Sequence, residues 1–277
     1  MKLTHCLPIM AIAAVMTVGA GPAQAAGQPY VALGDSYAAG VGIPAIIDQA
    51  CDRSDRNYAH LVAAKQGYLL TDVTCGGATT SDVAAIQMSA VSASTEVVTL
   101  GISGNDIGFG EIVRSCVILT GGAGCRNKYP DMPARIAKAG TAVGNLLDTI
   151  RERAPKAKIL LVGYPKIVPD NEASCAGVQP FAAEDLAWAR DTVIEGLNSM
   201  LQGHAGDRVT YVDTQAATTG HDMCQPAAQR WVNGVQVEAG SDGRTIHPNR
   251  LGHEAMASQV LASLGSGPGI PTGSFGG

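Results

Sequence analysis

Five short apolar runs, each followed by a polar loop and then a helical stretch, constrain the fold of this chain most. They are Tyr30 to Leu33, Leu69 to Thr74, Val97 to Ile102, Ile159 to Gly163 and Val209 to Val212. Runs of this length without strict polar alternation read as strands buried on both faces, the habit of parallel sheets. Between them, Ile136, Val143, Leu146, Leu147 and Ile150 recur at helical spacing until Pro155, and Leu186, Val193, Leu197, Met200 and Leu201 do so until Gly203. The alternation predicts a doubly wound α/β domain, whose ligand sites lie beyond the carboxyl ends of the strands.

With 277 residues, 46% of them hydrophobic, the chain can bury the core of one large domain. Only 16% of residues are charged and the formal net charge is −5, so a nucleic-acid partner is not expected. Lys2, the apolar run Cys6 to Val18, the breakers Gly19, Gly21 and Pro22, and Ala23-Gln24-Ala25 have the layout of a secretory signal peptide cut near Ala25 or Ala26. The expected organisation is a leader at 1–26, a domain at 27–264 and a Gly/Pro-rich tail at 265–277 too poor in apolar residues to pack. The apolar run of the leader is too short for a stable membrane span.

Beyond the leader stand Cys51, Cys75, Cys116, Cys125, Cys175 and Cys224. An even set in an exported chain, with no CxxC pair, predicts three disulfides rather than a metal site. Sequential pairing is favoured because it closes short loops, although other connectivities are open to six cysteines.

Four polar segments follow strands or precede a helix. Ser36 lies in GDSY directly after the first strand, where a sharp turn can present a hydroxyl to a base, with Asp35 tying the loop. Taken alone, the same tripeptide suits a helix N-cap. CGGATTSD, from Cys75, brings adjacent glycines where a backbone N–H of Gly77 can face a developing oxyanion, and Thr79, Thr80 or Ser81 can cap the next helix. GISGNDIGF offers the Asn105 amide as a second donor, with Asp106 bracing the loop. SDGRTIHPN places His247 before Pro248, a favoured first helical residue, with the helix running through Leu251, Ala255, Met256 and Val260. The remaining histidines, His5, His60, His204, His221 and His253, are assigned to solvent.

GDSY, GGATTSD, GND and HPN occur in the order of the four blocks of the GDSL family, also called SGNH hydrolases, and the chain resembles that family from about Tyr30 to Ser263. The cysteine number and placement look like those of the three-disulfide secreted lipases and esterases of actinobacteria. The resemblance implies a flavodoxin-like three-layer α/β/α fold with a five-stranded parallel sheet. It also implies carboxylic ester hydrolysis through an acyl-enzyme on Ser36, with His247 as the base. Ser36 N–H, Gly77 N–H and the Asn105 side chain would form the oxyanion hole, with no metal and no cofactor.

One position departs from the family pattern, in which an aspartate three residues before the histidine holds its ring. Arg244 stands there and cannot accept a hydrogen bond from imidazole. The replacements are Asp242 or a main-chain carbonyl, that of Thr245 or Arg244. The carbonyl is preferred because the glycine-flanked stretch Gly240 to Gly243 places Asp242 poorly, and some secreted actinobacterial members work as a Ser/His dyad with a backbone carbonyl.

The expected protein is therefore a secreted monomer acting on small-molecule or lipid esters. Deacetylation of a polysaccharide and acyl transfer with the same site are alternatives, as is a non-catalytic binding module. An aromatic content of 4% favours lipid over sugar. The GxSxG elbow of ordinary α/β-hydrolases does not occur, since Ala38 breaks it. Long segments at Ile107 to Pro130 and Lys166 to Pro180 are expected to shape substrate access. Trp188 reads as a packing residue, and Trp231 is a candidate to face the site.

Overall fold

A computed structural model describes residues 27–117, 124–206, 208–238 and 241–265. The expected leader at 1–26, the tail beyond Gly265, and Gly121, Gly122 and Gly240 lie outside these residues. Strands β1 (Pro29–Gly34), β4 (Leu69–Asp72), β5 (Val97–Gly101), β6 (Lys158–Val162) and β7 (Val209–Val212) form one parallel sheet in the order β4-β1-β5-β6-β7. This is the flavodoxin-like order, whose direction reverses between β1 and β5. A two-stranded antiparallel piece, β2 (Ile46–Asp48) with β3 (Arg53–Ser54), sits apart from it.

Side chains alternate along each strand between the two faces of the sheet, and each face buries its own apolar cluster. Val31, Leu33, Val98, Leu100, Ile159 and Leu161 pack with helices α3 (Thr80–Ala85), α4 (Phe109–Cys116), α5 (Met132–Arg153) and α7 (Glu195–Gln202). Tyr30, Ala32, Val97, Leu160 and Val212 pack with α2 (Tyr58–Gln66) and α9 (Arg250–Leu264). The result is the three-layer α/β/α domain that the sequence predicts. The stretch expected as one helix up to Gly203 is α6 (Ala183–Trp188), a π-helical segment at Ala189–Ile194 and α7 in succession. Trp188 stacks on Tyr129 as a packing residue.

Two of the polar loops end neighbouring strands at the reversal point. Gly34 and Gly101 are register partners, and a Cβ on Gly34 would fall 2.4 Å from the Gly101 carbonyl oxygen, so only glycine fits that approach. The buried Gln87 side chain bonds both N–H and C=O of Gly34, closing the end of β1. Very short helices α1 (Ser36–Ala39) and α8 (Gln215–Thr218) follow β1 and β7. The disulfides join Cys51 to Cys75, Cys116 to Cys125 and Cys175 to Cys224, the sequential pairing.

Candidate active site

Asp35 caps α1, its carboxylate accepting from Tyr37 N–H at 2.9 Å, so Ser36 becomes the first helical residue. A first-turn N–H has no acceptor within its own helix. The turn that follows β4 holds Gly77 at φ 82°, a backbone state that a side chain rarely adopts. Its neighbours are fixed: Gly76 N–H donates to the Cys51 carbonyl, Ala78 N–H to that of Cys75, and Thr79 caps α3 through a reciprocal pair with Asp82. Beyond β5, the Asn105 amide donates to the Ala78 carbonyl at 2.9 Å, and Asp106 accepts from both the N–H and the hydroxyl of Thr80. An amide nitrogen carries two hydrogens, so Asn105 retains one donor beyond that bond.

Ser36, Gly77, Asn105 and His247 line one open cleft of about 350 Å³, together with Gly76, Asp52 and Arg244. His247 Nε2 lies 2.8 Å from Ser36 Oγ, and His247 Nδ1 lies 2.8 Å from the Thr245 carbonyl oxygen. A carbonyl only accepts, so Nδ1 carries the hydrogen and Nε2 presents its lone pair to the serine hydroxyl. Desolvation holds the imidazole below the ordinary histidine range, helped by nearby Arg244 and opposed by the Thr245 carbonyl and Asp52. The ring is therefore neutral at neutral pH and able to take a proton from a hydroxyl.

The carboxylate of Asp242 is engaged elsewhere, accepting from Arg250 N–H at 2.9 Å. Arg244 reaches across the cleft mouth to Asp52, its Nε and Nη2 at 3.0 and 2.9 Å from one carboxylate oxygen. Its carbonyl accepts from the main-chain N–H of His247. Pro248 lies ahead of α9, bridged to Val232, and Asn249 is the N-cap, accepting from Gly252 N–H. Proline precedes the cap here because an asparagine next in line satisfies the orphan donors better.

Trp231 does not line the cleft; its ring stacks on His221 at 3.5 Å. The assignment of His253 to solvent fails, because it is fully buried against α2. A helical pattern that places polar residues on both sides hid that face. Asp35 is buried as well, which pushes its carboxyl up to about 7 against the hydrogen bonds from Tyr37 N–H and the Tyr164 hydroxyl. Tyr164, two residues past the end of β6, and Asp52 belong to the site region without having been singled out; both follow or face strand ends, the one signal that marks them. Among the described residues no cluster of three or more His, Cys, Asp or Glu is placed to hold a metal ion, and no helix is long and apolar enough to cross a membrane.

Residues 32–255 match the model of the GDSL-like lipase/acylhydrolase family. Lipase 2 of Streptomyces coelicolor is 36% identical over 269 residues, covering 90% of each chain. Among solved structures, phospholipase A1 from Streptomyces albidoflavus NA297 is 29% identical with a TM-score of 0.69, covering 86% of this chain and 99% of its own. The extracellular lipase of Streptomyces rimosus is 29% identical with a TM-score of 0.67, covering 85% and 98%.

Proposed function

The chain belongs to the GDSL-like lipase/acylhydrolase family, and from that premise we propose that it hydrolyses acyl esters through a Ser36–His247 dyad. The observation that carries this reading is the continuous line from Ser36 Oγ to His247 Nε2 and from His247 Nδ1 to the Thr245 carbonyl. Ser36 Oγ attacks the ester carbonyl carbon as Nε2 takes its proton. The N–H groups of Ser36 and Gly77 and the second hydrogen of Asn105 Nδ2 hold the oxyanion, a stabilisation worth about 10² to 10³ in turnover per donor. The tetrahedral intermediate collapses, and the imidazolium returns the proton to the leaving alkoxide. Water then attacks the acyl-serine by the same proton route, restoring Ser36. The Thr245 carbonyl takes the orienting role usually given to an aspartate.

A narrow apolar cavity of about 40 Å³ beside the base loop supports an aliphatic acyl substrate through the character of its wall rather than its size. Phe109, Ile112, Ile167, Phe181 and Met223 line it, with Ile246, the residue before His247. A sugar would find few polar partners on that wall. Export is supported by the leader pattern at 1–26, by three disulfides, and by the extracellular description of the S. rimosus relative. The mature protein on this reading is a monomer whose hydrolase domain spans residues 27–264, followed by the tail at 265–277.

Ser36→Ala is expected to abolish hydrolysis of p-nitrophenyl esters and labelling by a fluorophosphonate while leaving the thermal midpoint near that of the parent. Retained hydrolysis would overturn the reading. Release of fatty acid from triglyceride or phospholipid, set against release of acetate from acetylated xylan, separates lipid from polysaccharide esters.

A further inference from the structure

Resting on the roles proposed for Ser36, Asn105 and His247, we propose that Tyr37 and Tyr164 are positioning residues that lock the three site loops to one another. The Tyr37 hydroxyl holds the base loop, and the Tyr164 hydroxyl holds the Gly104–Asn105 loop against Asp35.

Tyr37 follows Ser36 in the chain and donates its hydroxyl to the carbonyl of Ile246, the residue before His247. Its ring also lies against the His247 ring, with centroids 4.7 Å apart. The nucleophile and the base are thus joined through one side chain as well as through their own contact. Tyr164 donates to the Asp35 carboxylate at 2.9 Å and accepts from Gly104 N–H at 2.6 Å. It therefore ties the residue before Ser36 to the residue before Asn105. Tyr164 cannot drift with the loops it joins, because the Asn198 side chain bonds its main-chain N–H and C=O at 2.8 and 2.9 Å. The two tyrosine rings pack edge to face at 5.1 Å, and each residue is about nineteen-twentieths buried or more.

Backbone strain marks the same two loops. Ser103 sits at φ 111° beside Gly104, and Ile246 at φ 55° beside His247. A positive φ at a residue other than glycine, above all at a β-branched one such as Ile246, persists only where the surroundings fix it. At both places a tyrosine hydroxyl bonds the strained residue or its neighbour. Burial raises both phenols well above their ordinary range, so each stays protonated and able to donate. Each hydroxyl spends its hydrogen on a buried acceptor, so neither is left to donate to a substrate.

The test uses Tyr37→Phe and Tyr164→Phe, which keep the rings and delete the bonds, on the mature protein with a soluble short-chain p-nitrophenyl ester. Rates are taken per folded molecule by near-ultraviolet circular dichroism, and the two variants are read separately so that misfolding of one leaves the other to decide. Misplacement of reacting groups predicts a kcat loss of about ten- to hundredfold for each, with KM within about twofold. In an Asn105→Ala background, Tyr164→Phe should cost no more than about twofold further, because groups acting through one another are not additive. Tyr37→Phe should shift or broaden the downfield proton resonance of His247 Nδ1–H, identified by its loss in His247→Gln. An unchanged kcat with a lowered melting temperature, a full additive loss in the Asn105→Ala background, or an unmoved resonance would overturn the proposal. Its failure is separable from that of the dyad itself, since Ser36→Ala alone decides the latter.

Discussion

His247, on the loop ahead of α9, and His253, on the packed face of α9, have both lost charge to burial, yet their hydrogen bonds run in opposite senses. His247 donates from Nδ1 to the Thr245 carbonyl and offers the Nε2 lone pair to Ser36. His253 accepts the Tyr58 N–H on Nδ1 at 3.1 Å, so its hydrogen sits on Nε2, which meets no partner among the described residues. Burial drives His253 down to about 3, and protonation would also break its bond to Tyr58. The contrast shows that burial alone does not make a base: the lone pair must be aimed at a proton to be taken.

The sharpest break of this comparison is His247→Ala, expected to lower kcat by about 10⁴ or more with little change in melting temperature. An intact rate would mean that the loop histidine is as structural as its neighbour. The converse variant, His253→Ala, opens a cavity and strands the Tyr58 N–H, a loss of about 2–4 kcal/mol. Chemical denaturation measures that loss, while fluorophosphonate labelling per folded molecule should stay near parental.

The two histidines also predict two acid effects. The acidic limb of kcat/KM should fall at a pH below the ordinary histidine value of about 6.5, because the neutral form of His247 is the active one. For His253 the folded value lies below the unfolded one. The unfolded chain therefore binds the proton first, and stability falls as pH drops from about 6.5 towards about 3. That slope should disappear in His253→Ala, as read from denaturation midpoints across pH. The smallest effect belongs to Asp242→Asn, expected to leave kcat within about twofold, since its carboxylate caps Arg250 rather than the base. A loss near 10⁴ would make Asp242 the orienting group after all.

Most of the fold was legible because strands buried on both faces betray themselves by continuous apolar runs. The edge strand β4 was the least regular of these, with Leu69 exposed, and it ends sooner than its run suggested. The π-helical turn at Ala189–Ile194 left no trace in an apolar spacing that suits any helix. Ser36, Gly77, Asn105 and His247 could be named because each carries chemistry in a short motif at a strand or helix end. Tyr37 and Tyr164 could not, although Tyr37 stands inside one such motif and Tyr164 just past a strand end, because a tyrosine in the chain says nothing of where its hydroxyl points. The Asp52–Arg244 pair joins residues too far apart in sequence for spacing to reveal.

The Cys51–Cys75 bridge bears on when the molecule becomes complete. It fastens the strand of chain that carries Asp52 to the residue before Gly76, whose N–H already rests on the Cys51 carbonyl. Only an oxidising compartment makes that bond. In reducing surroundings that hydrogen bond alone ties the glycine turn to the Cys51 loop, so the covalent fastening of this side of the cleft is set by redox conditions rather than by side-chain packing.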